Sequence, residues 1–216
     1  MRIPKLMRAA SVLVAAGLLL SACQSPPPPS DNSAFIRDNT KSILVVPVVN
    51  TSAEVNAPDG LLVTLPVPIA ERGYYVFPTH MVRRTMEDDG LGDADLVHKA
   101  DTVRLASLFG ADAVLYAVIE DWSSKYLVLA TTTTVEISYT LKSGKTGEIL
   151  WKSRQRRNFS AGPQGGGVGG LIAGAVAAAI EKAAPTYMPL ARQASNHAIA
   201  VDRNGVPYGP YYKPNR

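Results

Sequence analysis

The chain has 216 residues, and its 22 Lys and Arg side chains against 18 Asp and Glu give a formal net charge of +4. Three of the basic residues lie within residues 1–22, so the remaining 194 residues carry 19 basic and 18 acidic side chains, a balance of about +1. A chain so close to neutrality lacks the field that attracts nucleic acid, and its single cysteine excludes an internal disulfide framework.

The first 22 residues predict a lipoprotein signal peptide. Arg2, Lys5 and Arg8 precede an apolar run over residues 9–20, which is too short for a stable transmembrane anchor across a core of about 30 Å. The run ends in LSAC, which resembles the lipobox of bacterial lipoproteins, where the cysteine sulfur receives a diacylglycerol and the cysteine becomes the new N-terminus. Cys23 is therefore the predicted lipidation site, and the acyl chains provide the membrane contact.

Residues 23–33 predict a proline-rich tether. After Cys23 the sequence reads QSPPPPSDNS, which favours an extended spacer that reaches about 30 Å at about 3.1 Å per residue. An aspartate after the lipidated cysteine is the usual signal for retention in the inner membrane, so Gln24 implies the inner leaflet of the outer membrane. The sequence then predicts one periplasmic α/β domain over residues 34–203 and a Tyr- and Pro-rich tail over residues 204–216.

The tether is followed by strands and helices that alternate along the chain. The predicted strands are residues 41–50, 74–78, 111–122, 126–142 and 148–159, the last two joined as a hairpin by a turn at 143–147. The predicted helices are residues 60–72, 80–89 with Thr79 as cap, 102–109 with Asp101 as cap, and 185–202. This order predicts an α/β fold with a mixed β-sheet and helices packed on it in two or three layers.

Three of these stretches carry a resemblance: VVPVVN, GADAVLYAVIEDW and KSGKTGEILWKSR. Together they resemble a proteobacterial family of outer-membrane lipoproteins of unknown function, whose core is similar to the N-terminal domain of TolB and to the periplasmic domain of the curli-secretion lipoprotein CsgG. The resemblance implies a part of an envelope or secretion assembly, with a CsgG-like or other envelope lipoprotein as partner, and no enzyme activity. The hairpin here carries six Lys and Arg residues, which suit water better than lipid and argue against a CsgG-type pore.

Residues 162–180, GPQGGGVGGLIAGAVAAAI, are rich in glycine and alanine. Gly166, Gly170 and Gly174 are spaced by four, so on a helix they form one face of small residues that permits close helix contact. One interpretation is a glycine loop that leads into an alanine-rich helix packed on the sheet. The other is a helix for self-association or membrane contact, with Glu181 and Lys182 at its solvated end. A phosphate-binding loop is disfavoured, because no Lys followed by Ser or Thr closes the glycines.

The sequence predicts no catalytic, metal or cofactor site. Its three histidines are scattered, and Cys23 is consumed by acylation. The Gly-Lys-Thr at residues 144–146 lacks the first glycine of a Walker A motif and is typical of a hairpin turn. Two acidic groups are interpreted as solvated ends of a helix and of a strand. One basic group is interpreted as a solvated strand edge rather than a contact for an acidic partner or for lipid headgroups. These groups are Glu87, Asp88 and Asp89; Glu120 and Asp121; and Arg154, Arg156 and Arg157.

The tail contains Tyr208, Tyr211 and Tyr212, which suit either a partner contact or docking onto the chain's own domain. Taken together, the sequence predicts an outer-membrane lipoprotein that is a non-enzymatic component of an envelope transport, secretion or assembly system and that associates with itself and with another envelope lipoprotein. The alternative is a lipoprotein regulator of a peptidoglycan synthase. Neither nucleic acid nor a small-molecule substrate is predicted as a ligand.

Overall fold

The computed structural model describes residues 32–127, 129–163, 168–202 and 204–214. The predicted signal peptide, Cys23 and nearly all of the tether lie outside these residues. The strands are β1 (Ser42–Val45), β2 (Val49–Asn50), β3 (Tyr75–Val76), β4 (Ala113–Leu127), β5 (Ala130–Ser143) and β6 (Ile149–Ala161). The helices are α1 (Ser33–Asp38), α2 (Ala57–Leu62), α3 (Pro66–Glu71), α4 (Thr79–Asp88), α5 (Ala94–Lys99), α6 (Thr102–Phe109), α7 (Val168–Ala183) and α8 (Tyr187–Ala200).

The strands form one mixed sheet in the order β3-β1-β4-β5-β6. Strand β1 is parallel to β3 and β4, and β2 continues alongside β4 after Pro47 interrupts the path of β1. Strands β4, β5 and β6 are antiparallel and much longer, with a register shift in β4 between Ile119 and Asp121. The predicted hairpin of the last two strands is therefore confirmed, and so is the mixed α/β fold.

Helices pack on both faces of the sheet, so the central strands are buried on both faces. Ile43 and Val45 point into a core with α1, α2, α3 and α8, whereas Leu44 and Val46 point into a second core with α4, α5 and α6. This double burial explains the continuous apolar run of β1, which is typical of parallel strands between two helix layers. Helices α4, α5 and α6 cover only the part of the sheet formed by β1 and β4. Strands β5 and β6 therefore keep one polar face.

The structure corrects two predicted helices and adds two, α1 and α5. The helix predicted over residues 60–72 is two helices, because Pro66 has no N–H to donate to Leu62 and starts a new helix instead. Thr79 is the first helical residue of α4 and its side chain makes no capping bond, so its predicted role as cap is wrong. Helix α5 was not predicted, although Asp93 accepts hydrogen bonds from two of its backbone N–H groups.

Candidate functional site

A concentration of exposed apolar side chains lies at the end of the sheet where β4 turns into β5. On the outer face of α7, Val168, Ile172, Val176 and Ile180 are 74%, 62%, 55% and 63% exposed. Exposed side chains from the neighbouring strands and the flank of the helix extend this area. We call the whole set the α7 surface: Val168, Leu171, Ile172, Val176 and Ile180 with Tyr126, Leu129 and Phe159.

The inner face of α7 is made of small residues, and this explains how the helix lies so close to the sheet. Gly174 and Ala178 are buried, and Thr131 Oγ1 donates a hydrogen bond of 2.7 Å to the Ala178 carbonyl. A Cβ atom on Gly174 would lie 2.3 Å from the backbone N and Cα of Pro163. The glycine at position 174 therefore serves packing within the chain, as the first interpretation of the glycine-rich segment predicts.

The other two glycines of the predicted row are placed differently. Gly166 lies outside the described residues, and Gly170 is half-buried in the first turn of α7. Self-association through these glycines stays a prediction. The large apolar side chains that solvent reaches stand on the opposite face of the helix from Gly174.

Glu181 fixes the junction between α7 and α8. Its carboxylate is only 5% exposed and accepts a hydrogen bond of 2.5 Å from Thr133 Oγ1 and one of 2.7 Å from the Thr186 backbone N–H, together with one from the Thr186 hydroxyl. Burial alone would raise the pKa of Glu181, but these three donors hold its pKa below the ordinary value. The prediction that Glu181 lies at a solvated helix end is therefore wrong.

With Glu181 turned inward, Lys182 is the one charged side chain that α7 presents to solvent. Its Nζ lies 4.8 Å from the centre of the Tyr126 ring, a cation–π contact at the margin of the α7 surface. Residues 168–180 contain no charged side chain. A surface helix of a globular domain usually has a polar outer face, so α7 departs from this pattern.

The basic residues of β6 are largely compensated on the uncovered face of the sheet. Glu136 accepts a hydrogen bond of 2.8 Å from Arg154 Nε and one of 2.7 Å from Arg156 Nη1, and Asp121 lies 3.9 Å from Arg156 Nη2. Strand β6 is the edge of the sheet, where charged side chains discourage pairing with other chains. This arrangement agrees with the interpretation of a solvated strand edge.

A cleft of about 330 Å³ lies beyond the end of β1, between α2 and α4. Across it Arg83 bonds to Asp59 at 2.7 Å and to Glu87 at 2.9 Å, and the two carboxylates raise the pKa of the guanidinium. Clefts at the carboxyl ends of parallel strands are common ligand sites, but here the facing charges neutralise one another. The exposed ion pair between Arg83 and Asp59 thus links α4 to α2 across the cleft.

Three further acidic and histidine side chains also have partners within the fold. Asp88 pairs with Arg84 at 3.4 Å, and Glu120 accepts a hydrogen bond of 2.8 Å from Ser138. His98 Nε2 lies 3.0 Å from the Pro47 carbonyl, and burial lowers its pKa. Among the described residues, no group of three or more His, Cys, Asp and Glu side chains is placed to hold a metal ion.

The C-terminal tail docks onto the chain's own domain. Backbone N–H groups of Gly209 and Tyr211 donate to the Arg72 and Gly73 carbonyls at 2.7 and 3.0 Å. The buried Arg72 pairs with Asp202 at 3.2 Å, and its guanidinium carbon lies 4.3 Å from the centre of the Tyr208 ring. Of the two interpretations of the tail, docking is therefore the one observed.

Replacing Tyr208 by Ala is expected to loosen the tail, because the ring that covers Arg72 and the hydroxyl that donates to Asp202 are both lost. Amide hydrogen exchange at Gly209 and Tyr211 should accelerate on the order of tenfold. Tyr208→Phe keeps the ring and should change exchange much less. Equal rates in both variants and the wild type would show that the ring does not hold the tail.

Within the described chain, no single helix is long and apolar enough to cross a bilayer. The pair Val168–Ala183 and Tyr187–Ala200 reaches the required length and composition only when taken together, and it bends by 78° between the two helices.

Comparison with known proteins identifies the family. The sequence profile described as "Putative lipoprotein GNA1162-like" matches residues 30–211. A protein of Neisseria meningitidis serogroup B, "Putative lipoprotein NMB1124/NMB1162", is 39% identical over 139 residues, which cover 64% of this chain and 65% of that protein. The match thus spans slightly less than two thirds of the relative's length.

One solved structure supports the same family. The crystal structure of lipoprotein GNA1162 from Neisseria meningitidis is 33% identical, with a TM-score of 0.53, and the match covers 68% of this chain and 99% of that one. The LpoB C-terminal domain from Salmonella enterica is 21% identical with a TM-score of 0.37, over 55% of this chain and 84% of that one, a likeness too weak for a functional argument. As the resemblance predicts, the chain belongs to the GNA1162-like family of lipoproteins of unknown function.

Proposed function

We propose that this protein is an outer-membrane lipoprotein, anchored through acylated Cys23, whose α/β domain is a non-enzymatic component of a cell-envelope transport, secretion or assembly system. The α7 surface is the observation that carries the proposal. Its eight large apolar side chains together expose an area on the order of 800 Å², more than the roughly 300–600 Å² of the largest patch on a typical monomer. Apolar patches of this size mark contact surfaces for other molecules.

The proposed membrane anchor is supported by the sequence and by the family. Cys23 closes the LSAC lipobox and has no second cysteine to pair with, and the family consists of lipoproteins. Gln24, in place of the aspartate that retains lipoproteins in the inner membrane, favours the outer membrane.

The proposal that the protein is non-enzymatic rests on the contacts of its carboxylate side chains. Glu87, Glu136 and Glu181 each bond to a basic or hydroxyl partner that fixes an element of the fold. Such engagement gives these carboxylates structural roles. The resemblance to a family with a CsgG-like core adds a CsgG-like or other envelope lipoprotein as the proposed partner.

The first test is cross-linking and mass spectrometry of the lipoprotein in its own membrane, with Cys23→Ala as the comparison. The wild type is expected to sediment with outer-membrane fractions and to cross-link to envelope lipoproteins. The Cys23→Ala form should lose the acyl chains and shift from the membrane to the soluble fraction. Membrane association that survives the substitution would refute the anchor.

A peptidoglycan-synthase regulator gives a different result in the same experiment. Cross-links from the domain to a synthase, and none to another envelope lipoprotein, would contradict the assembly role and support the regulator. Hydrolysis of an envelope substrate that disappears when one acid or histidine is changed would overturn the non-enzymatic assignment.

A further inference from the structure

We infer that the α7 surface is an isologous interface, in which α7 of one molecule packs against α7 of a second copy of this chain across a two-fold axis. This inference deepens the proposed function, on which it rests for the common membrane of the two copies. It names the partner of the α7 surface and assigns the contact to the large side chains of the outer face instead of the glycine row.

The outer face of α7 has the form of a helix-packing ridge. Val168, Ile172, Val176 and Ile180 follow one another at intervals of four residues, the spacing whose rows fit into the grooves of a facing helix. The small residues Gly169 and Ala179 border this row and leave grooves for the partner's side chains.

The chemistry of the face suits contact with its own copy. A two-fold axis brings the same patch from both molecules together, so any charge within the patch would face its like. Residues 168–180 carry no charge, and the carboxylate of Glu181 is buried under the helix. The face can therefore meet itself without electrostatic repulsion.

The size of the patch also fits. A stable protein interface buries about 800 Å² per partner. The α7 surface exposes an area of the same order in large apolar side chains alone. Pairing through α7, with the neighbouring β4–β5 turn at its margin, would cover an area sufficient for a specific dimer.

The position of α7 favours a protein occupant over the lipid surface that holds the anchor. The chain enters the domain through α1, next to Ser143 at the end of β5, where the Ser143 hydroxyl donates to Asp38 at 2.5 Å. Helix α7 crosses the start of β5, where Thr131 bonds to Ala178. The twelve residue-to-residue steps of β5 from Thr131 to Ser143 span about 40 Å, so the two sites lie at opposite ends of the sheet.

This separation matters because the tether is short. The eight residues 24–31 reach at most about 28 Å even when fully extended. A tether shorter than the distance along β5 excludes the inverted orientation, in which the domain would stand on its α7 end. A two-fold axis along the membrane normal then joins two domains at their membrane-distal ends while both anchors enter the same leaflet.

The single cysteine of the chain makes a cross-linking test direct. Since Cys23 is acylated, a cysteine introduced elsewhere in the full-length lipoprotein is the only free thiol. We expect Ile172→Cys or Val176→Cys to form disulfide-linked homodimers when membranes are oxidised, because residues near a two-fold axis face their own copies. Val67→Cys on α3 is the matched control, since Val67 is 61% exposed and lies outside the α7 surface.

A charge on the face provides the second measurement. Ile172→Glu should weaken dimerisation of the detergent-solubilised lipoprotein at least tenfold in sedimentation velocity, while Val67→Glu should leave it unchanged. Both residues are largely exposed, so circular dichroism and the midpoint of urea unfolding should match the wild type in both variants.

Three outcomes would overturn the inference. One is a wild type that stays monomeric at all concentrations, together with Ile172→Cys and Val176→Cys variants that form no disulfide-linked dimer. Another is binding of the non-acylated Cys23→Ala chain to phosphatidylethanolamine–phosphatidylglycerol vesicles that Ile172→Glu abolishes, since the occupant is then lipid. The third is a cross-link from α7 to a different envelope protein, which would leave the proposed function standing and refute only the second copy.

A different result would contradict the proposed function and leave the inference standing. If dimers form through α7 as expected but the wild type cross-links to no other envelope protein, the inference holds and the assembly role fails.

Discussion

Gly174→Ala is expected to lower the free energy of unfolding by about 2 kcal/mol, although alanine is the better helix former. The added Cβ would meet the backbone of Pro163 at 2.3 Å, and backbone atoms cannot turn aside as a flexible side chain can. To relieve the clash, α7 and the loop at Pro163 must move apart, which also weakens the hydrogen bond between Thr131 and Ala178. Urea unfolding followed by circular dichroism measures the loss.

Gly169→Ala is the matched control in the same helix. A Cβ at position 169 meets no atom within 4 Å, so the substitution restricts the unfolded chain without any clash. We expect it to raise the free energy of unfolding by roughly 0.5–1 kcal/mol. If both substitutions shift stability in the same direction, the close approach of α7 to the Pro163 backbone is contradicted.

Glu181→Ala is expected to cost about 3 kcal/mol, because it leaves the Thr133 hydroxyl and the Thr186 N–H without their acceptor in a buried place. Glu181→Gln keeps one acceptor oxygen of the same shape and should cost about 1 kcal/mol. The midpoint of urea unfolding at neutral pH separates the two variants. Equal and small losses would show that water replaces the carboxylate and that the junction of α7 and α8 does not depend on it.

The same carboxylate makes stability depend on pH. Because the folded pKa of Glu181 lies below its unfolded value, the folded state holds the proton less tightly than the unfolded state. Its contribution is therefore complete above the unfolded pKa of about 4.3 and is lost as the pH falls through the lower, folded pKa. Glu181→Gln should flatten this part of the curve of unfolding free energy against pH.

The sequence predicted those parts of the fold that local signals determine. Asp101 bonds to the Arg104 N–H at the start of α6, and Gly110 ends it in a left-handed conformation, as their positions indicated. The split of the helix at Pro66 and the short α5 do not follow from hydrophobicity, because the apolar run continues through Pro66 and only the Asp93 cap marks the start of α5. Cap and proline signals were thus more informative than hydrophobicity at both positions.

The α7 surface could not be derived from periodicity. Hydrophobic patterning assumes that the larger apolar side chains face the core, but α7 turns Gly174 and Ala178 inward and Ile172 and Val176 outward. Both faces are apolar, so only the sheet decides which one is buried. The row of small residues was visible in the sequence, but its use for close packing on the chain's own strands depends on Pro163 and Thr131.

The docked tail has a consequence for the time course of folding. Arg72 bonds to the Ile199 carbonyl 127 residues along the chain, and the Tyr74 hydroxyl bonds to the Pro207 carbonyl 133 residues along. Contacts of such long range close large loops and form slowly. A chain that emerges N-terminus first cannot enclose Arg72 until residues 199–208 have appeared. The surroundings of Arg72 are therefore completed late in chain synthesis.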